Sequence, residues 1–142
     1  MLRFPYRPDL QTGAPNWRPI VFLFVEGPNG RVRSKGLLDT GSADTVLPIR
    51  LARTLGIQLA PATTGIVWRG QHFPIQYGEV DFELAAGSLG YQWRTRVGFS
   101  AAPIKYFLLG IRGCLQFFDA TFCGKDLAVD LTINRSFSGT VL

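Results

Sequence analysis

Residues 36 to 48 read Gly36-Leu37-Leu38-Asp39-Thr40-Gly41-Ser42-Ala43-Asp44-Thr45-Val46-Leu47-Pro48. Leu37 and Leu38 form an apolar approach to an Asp-Thr-Gly-Ser turn, and Val46 and Leu47 lead away from it. Apolar flanks on both sides of a small acidic loop predict that the Asp39 carboxylate is held deep. A carboxylate so placed must be hydrogen-bonded, paired or shifted in pKa, because burying it bare is too costly.

Upstream of this loop, Ile20 to Val25 reads as a strand, and Gly27-Pro28-Asn29-Gly30 as its turn. Asn-Gly is a hairpin signal because both residues tolerate positive φ. The return strand, Arg31 to Leu38, delivers the chain to Asp39. Downstream of Leu47 the pattern switches to helix. Pro48 suits a first helical turn, Leu51 and Leu55 share a face, and Gly56 is a natural terminator.

From Ile66 to Leu84 the period is that of strands, with Phe73, Ile75 and Tyr77, then Val80, Phe82 and Leu84, alternating with polar or small neighbours. Val67-Trp68-Arg69-Gly70-Gln71 is the expected hairpin tip, and Ala85-Ala86-Gly87-Ser88 a second turn. Tyr91, Trp93, Thr95, Val97 and Phe99 alternate along the next strand. Phe107-Leu108-Leu109-Gly110 reads as a buried strand ending at a glycine. Ile111 to Phe118 is expected as a short helix, and Leu127, Val129, Leu131 and Ile133 as a final strand. The class is mostly β with one or two short helices.

The organisation expected is an extended proline-rich arm over residues 1–19, a domain over 20–134 and a tail over 135–142. Prolines at 5, 8, 15 and 19 exclude a helix in the arm. With 142 residues, 46% of them apolar and 18% charged, the chain buries a sizeable core and is not disordered. No apolar run is long enough to span a bilayer, and the N-terminus lacks the apolar core of a signal peptide, so no membrane contact and a cytoplasmic location are expected. The net charge of +5 is scattered. Arg31, Arg33 and Lys35 alternate on one strand and Arg94 and Arg96 on another, which reads as two solvated sheet faces and not as a nucleic-acid footprint. Cys114 and Cys123 have neither metal-site spacing nor histidine company, and are expected as reduced core thiols. His72, the one histidine, is expected on a surface or hairpin strand.

The Asp39-Thr40-Gly41-Ser42 loop, with Leu-Leu before it and Thr45-Val46-Leu47-Pro48 after it, resembles the catalytic loop of aspartic proteases of the small retropepsin-like kind. Leu108-Leu109-Gly110 is similar to the family's second motif, a strand that crosses behind the catalytic loop and supports it. Thr64 to Gly70 lies where the family's flap would be. The resemblance implies a closed acid-protease barrel with one lobe per chain. Two carboxylates must share a proton to activate water, and the chain holds one such loop. The implied site is therefore Asp39 from each of two chains, and homodimerisation becomes a chemical requirement. The threonine corresponding to Thr40 clamps the two loops together, Gly41 admits substrate without a Cβ, and Ser42 can donate to Asp39.

The implied activity is hydrolysis of peptides or proteins by an aspartic endopeptidase, with no cofactor and no metal. Asp44, Trp68, Arg69 and Gly70 are the candidate substrate contacts, and Leu108, Leu109 and Gly110 the structural support. Two positions depart from the family pattern. Ala43 stands where an aspartate is usual, with the acid kept one place later as Asp44. Ile111 intervenes between the Leu-Leu-Gly motif and Arg112. The termini of retropepsins commonly build an interchain sheet, which makes both ends candidates for it. The rival expectation is a catalytically silent dimer of this fold that binds peptides or directs assembly. A nucleic-acid-binding barrel is a third, motivated by charge and aromatic content.

Overall fold

A computed structural model of the chain describes residues 1–10, 15–61 and 64–142. The strands begin with β1 (Leu2–Pro5), β2 (Arg7–Leu10), β3 (Pro15–Arg18), β4 (Ile20–Gly27), β5 (Gly30–Leu38) and β6 (Val46–Pro48). One α-helix, α1 (Ile49–Leu55), comes next, then β7 (Thr64–Trp68), β8 (Gln71–Ala86), β9 (Leu89–Ser100) and β10 (Phe107–Leu109). A 3₁₀ turn at Leu115–Phe117 leads into β11 (Phe118–Cys123), β12 (Ala128–Ile133) and β13 (Thr140–Val141).

Six strands close into a barrel in the order β9-β6-β10-β5-β4-β8, with β8 pairing back onto β9 along its length from Ile75 to Ala86. The β4–β5 and β8–β9 hairpins dominate it, each joined by a two-residue turn. The first turn is centred on Pro28-Asn29, not on Asn29-Gly30. Gly30 alone of these carries positive φ (138°), and the Asn29 N–H donates to the Leu55 carbonyl at 3.0 Å, tying the turn to α1. Val25, Leu47, Val80, Phe82, Leu84, Phe99 and Leu109 are wholly buried in the barrel. Each such side chain contributes about 1.5–3 kcal/mol of hydrophobic stabilisation.

β5 and β6 follow one another in sequence but do not pair. β10 lies between them, parallel to β5 (Leu109 opposite Leu38) and antiparallel to β6 (Leu108 opposite Val46). The residues between, 39–45, must therefore cross the end of β10. α1 then packs Ala52 and Leu55 inward, with Leu51 half-buried, and stops at Gly56, whose φ of 69° is the left-handed cap that glycine adopts without strain. Pro48 is the extended residue before the helix, not part of its first turn.

The expected helix over Ile111 to Phe118 is replaced by an irregular crossing and the short 3₁₀ turn. The backbone N–H groups of Ile111 and Arg112 donate to the carbonyls of Ser42 and Ala43, and the Arg112 carbonyl accepts from Thr45. Groups committed to another loop cannot enter a helical ladder.

The N-terminal arm is extended, and its strands pair within the chain. β1 is antiparallel to β12 in a three-stranded sheet β1-β12-β11, burying Leu2, and β2 and β3 form a hairpin of their own. Of the C-terminal residues, β13 pairs with β9. Phe137 stacks against Tyr91, Trp93 and Phe118 at centroid distances of 5.8, 6.3 and 6.0 Å. This aromatic cluster, in which Trp93 meets Phe118 edge-on at 5.2 Å, fastens the small sheet to the barrel. Leu127, expected within the last strand, sits before β12 at φ 47°. Among the described residues no helix is long and apolar enough to cross a membrane.

Candidate functional site

The loop from Asp39 to Thr45 is held first by backbone. The Asp39 N–H donates to the carbonyl of Leu109 at 3.0 Å, Ser42 N–H to Asp39 carbonyl at 3.2 Å, and the Ser42 and Ala43 carbonyls accept from Ile111 and Arg112 at 3.0 and 2.9 Å. The Thr45 carbonyl accepts from Gly98 at 2.8 Å, which anchors the far end to β9. The strand end beneath has no room for a side chain. A Cβ on Gly110 would lie 2.5 Å from the Ser42 carbonyl oxygen and closer still to that of Asp44. Leu108, Leu109 and Gly110 thus stand directly under the acidic turn, with Leu109 and Gly110 buried.

Asp39 itself is half-buried, not deep as its apolar flanks predict. Its Oδ1 accepts from the Gly41 N–H at 2.9 Å, the geometry of an Asx turn. No other side-chain hydrogen bond reaches its carboxylate among the described residues. Ser42 does not serve it. The Ser42 hydroxyl donates to the Asp44 carbonyl at 2.6 Å, bracing the loop. Thr40, Gly41, Ala43 and Ile111 form an uncovered rim, with Ile111 43% exposed.

Asp44 and Arg112, both displaced by one place from the family pattern, meet each other. Nε of Arg112 donates to Oδ1 at 2.7 Å and Nη2 to Oδ2 at 3.1 Å, a two-pronged pair, and the Tyr77 hydroxyl donates to Oδ2 at 3.0 Å. The Arg112 bonds hold the Asp44 carboxyl below the ordinary carboxylate value, with Tyr77 assisting and burial opposing. Burial, then the hydrogen bond to Asp44 and its charge, pushes the Tyr77 phenol up. Arg112 stands out in the sequence as a displaced arginine, but its pairing with Asp44 and the part of Tyr77 do not. Tyr77 was legible only as one residue of an alternating strand, and nothing local links Arg112 to an acid far away in sequence. Thr45, wholly buried beside them, has no hydrogen-bond partner for its Oγ1 among the described residues.

Trp68, Arg69 and Gly70 stand apart, at the tip of the β7–β8 hairpin. Arg69 (φ 50°) and Gly70 (φ 78°) form a two-residue turn between paired Trp68 and Gln71, the type I′ geometry that suits hairpin twist. Trp68 is half-buried, and its indole N–H is shielded from solvent without an acceptor among the described residues. No hydrogen bond joins the tip to the Asp39 loop there, but Tyr77, on the same strand as the tip's base, does. His72 is exposed on that hairpin. Among the described residues no group of three or more His, Cys, Asp or Glu side chains could hold a metal ion. Cys114 is buried and Cys123 half-buried and outside the core; both are free thiols.

Comparison of the chain with models of known protein families and with curated protein sequences returns no match.

Proposed function

We propose that the chain is an aspartic endopeptidase of the retropepsin-like kind, active as a homodimer. The observation that carries this reading is the seating of Asp39-Thr40-Gly41-Ser42 over Gly110, at the end of a strand threaded between β5 and β6 of a closed barrel. That crossing places one weakly engaged carboxylate at the rim of the molecule, where a second copy can meet it.

In the proposed reaction, Asp39 of one chain is ionised and Asp39 of a second copy protonated. The ionised carboxylate takes a proton from water as its oxygen attacks the scissile carbonyl carbon. The protonated carboxyl gives its proton to the carbonyl oxygen, forming a gem-diol. On collapse of the diol the carboxyl that took the proton from water gives it to the leaving nitrogen. The other carboxylate takes a proton from a diol hydroxyl as the carbonyl re-forms and the C–N bond breaks, and no covalent intermediate forms. The Gly41 N–H orients the carboxylate, and the rim of Thr40, Gly41 and Ile111 is the surface on which the two copies meet. The β7–β8 hairpin, with Trp68, Arg69 and Gly70 at its tip, is the proposed cover that excludes water from the reacting centre. Extended peptides with bulky apolar side chains are the proposed substrates.

Peptidase activity on a mixed peptide pool between about pH 3 and 7, for wild type and Asp39→Asn together, tests the reading. Cleavage at acid pH that vanishes in the variant supports it. Equal cleavage by both excludes Asp39, and a folded dimer that cleaves nothing turns the reading to a silent peptide-binding module.

A further inference from the structure

Beside the Asp39 loop lies a cavity of about 500 Å³ whose wall includes Asp44, Tyr77, Arg96, Arg112, Gln116 and Phe117. This is within the usual size of a ligand pocket. Its polar groups are unbalanced. The one carboxylate, Asp44, already accepts from Arg112 and Tyr77. Arg112 engages it through Nε and Nη2, so Nη1 is not used in that pair. Arg96 lays its guanidinium over the Tyr77 ring at 4.5 Å, and among the described residues it pairs with no carboxylate. Glu79, opposite Arg96 in the β8–β9 ladder, is taken by Arg94 at 3.1 Å. The Gln116 carbonyl oxygen accepts from the Gly113 N–H at 2.7 Å, which leaves its amide NH₂ as a donor. Two guanidinium groups, one held by Asp44 and one laid on the Tyr77 ring, and an amide, set round an acid that is already satisfied, make a site for an acceptor. A larger groove, which Arg96 also borders, has no such surplus, because Glu26, Glu79 and Asp81 line it beside Arg94 and Arg96, and Arg94 pairs with Glu79 and Asp81.

We infer that this cavity is a carboxylate subsite, in which Arg96 and Arg112 bind an acidic side chain of the peptide substrate away from the scissile bond. The inference rests on the peptidase reading. Asp44 lies five residues along the chain from Asp39, hence at most about 18 Å from it. An extended peptide advances about 3.3 Å per residue, so the acidic residue falls within roughly five positions of the cleaved bond. Arg96 is the specificity-determining residue, because Arg112 also braces the Asp44 loop.

The test uses the Asp39→Asn protein, which leaves peptides uncut, and fluorescent decapeptides in which one Gln is replaced by Glu at successive positions. Binding is read by anisotropy at low salt. The expected result is tighter binding, by about fivefold, for Glu at one or two adjacent positions. The advantage should be lost in Arg96→Gln, restored in part by Arg96→Lys and weakened by salt, with unchanged melting of each variant. Equal binding of Glu and Gln peptides at every position overturns the subsite. If Glu preference is found but wild type cleaves none of the peptides, the subsite stands and the peptidase reading falls. Cleavage without any acidic preference does the reverse, and neither binding nor cleavage removes both.

Discussion

Arg112 grips Asp44 with two parallel N–H···O bonds of 2.7 and 3.1 Å, joining the residue two places after Gly110 to the loop that begins at Asp39. The pair ties the acidic loop to the segment that leaves β10. Its contribution should depend on pH with a definite sign. The Asp44 pKa is lowered from 3.8 in the folded chain, so the stabilisation is fully present above that value and is lost as pH falls through the folded pKa. Asp44→Asn should lower the melting midpoint by about 3–6 °C at neutral pH. The gap between variant and wild type should close below pH 3.8. Melting followed by circular dichroism across that range reads it, and a gap that persists unchanged in acid would mean the ion pair is not its source.

Gly110→Ala puts a methyl group into the carbonyls of Ser42 and Asp44. Because those atoms are backbone, the loop must move. A loss of about 1–3 kcal/mol in denaturant unfolding is expected, as for other overpacked sites, with peptidase activity falling much further than stability does. A variant with wild-type activity would show that the seating of the loop over β10 is not what places Asp39.

The β2–β3 hairpin is fastened by one buried acid. Asp9, 1% exposed, accepts from Lys105 Nζ at 2.6 Å and from the Tyr106 hydroxyl at 3.0 Å. The Lys105 bond is the main reason its carboxyl lies below the ordinary value, so acid should release the hairpin before the barrel. Asp9→Ala should raise hydrogen exchange of amides in β2 and β3 with little change in β8 and β9. Uniform loss of protection would instead make the hairpin part of the global folding unit.

Burial pushes the Cys114 thiol up to about 12, while Cys123 is half-buried at the edge of the small sheet. Native protein at neutral pH should therefore react with a thiol reagent at Cys123 alone, and denatured protein at both. Mass mapping of the labelled residue gives the answer; rapid native labelling of Cys114 would show that its surroundings open.

What the sequence made legible was local. The strands on either side of Asp39, helix α1 with its Gly56 stop, and the tip at Arg69-Gly70 each follow from alternation, capping or turn chemistry within a few residues. The errors share one physical cause, which is pairing with distant chain. Ile111 to Phe118 lost its helix because its N–H groups answer carbonyls at Ser42 and Ala43. The depth of Asp39 was overestimated because Leu38, Val46 and Leu47 are buried while the turn between them sits at the rim. Ser42 was expected to donate to Asp39, but the Asp44 carbonyl lies within its reach and the Gly41 N–H serves the carboxylate. β1 could be read as extended, but its pairing with β12 joins opposite ends of the chain.

If two copies of Asp39 make one active site, subunit mixing reveals it. Wild type and Asp39→Asn are unfolded together in equal amounts at fixed total chain, refolded, and assayed for peptidase activity at acid pH. If both acids are needed, only dimers with two wild-type chains cleave, and random pairing leaves about a quarter of the all-wild-type rate. A rate of about half, falling in proportion to the wild-type fraction at every mixing ratio, would mean that each chain acts alone and that no shared Asp39 pair exists.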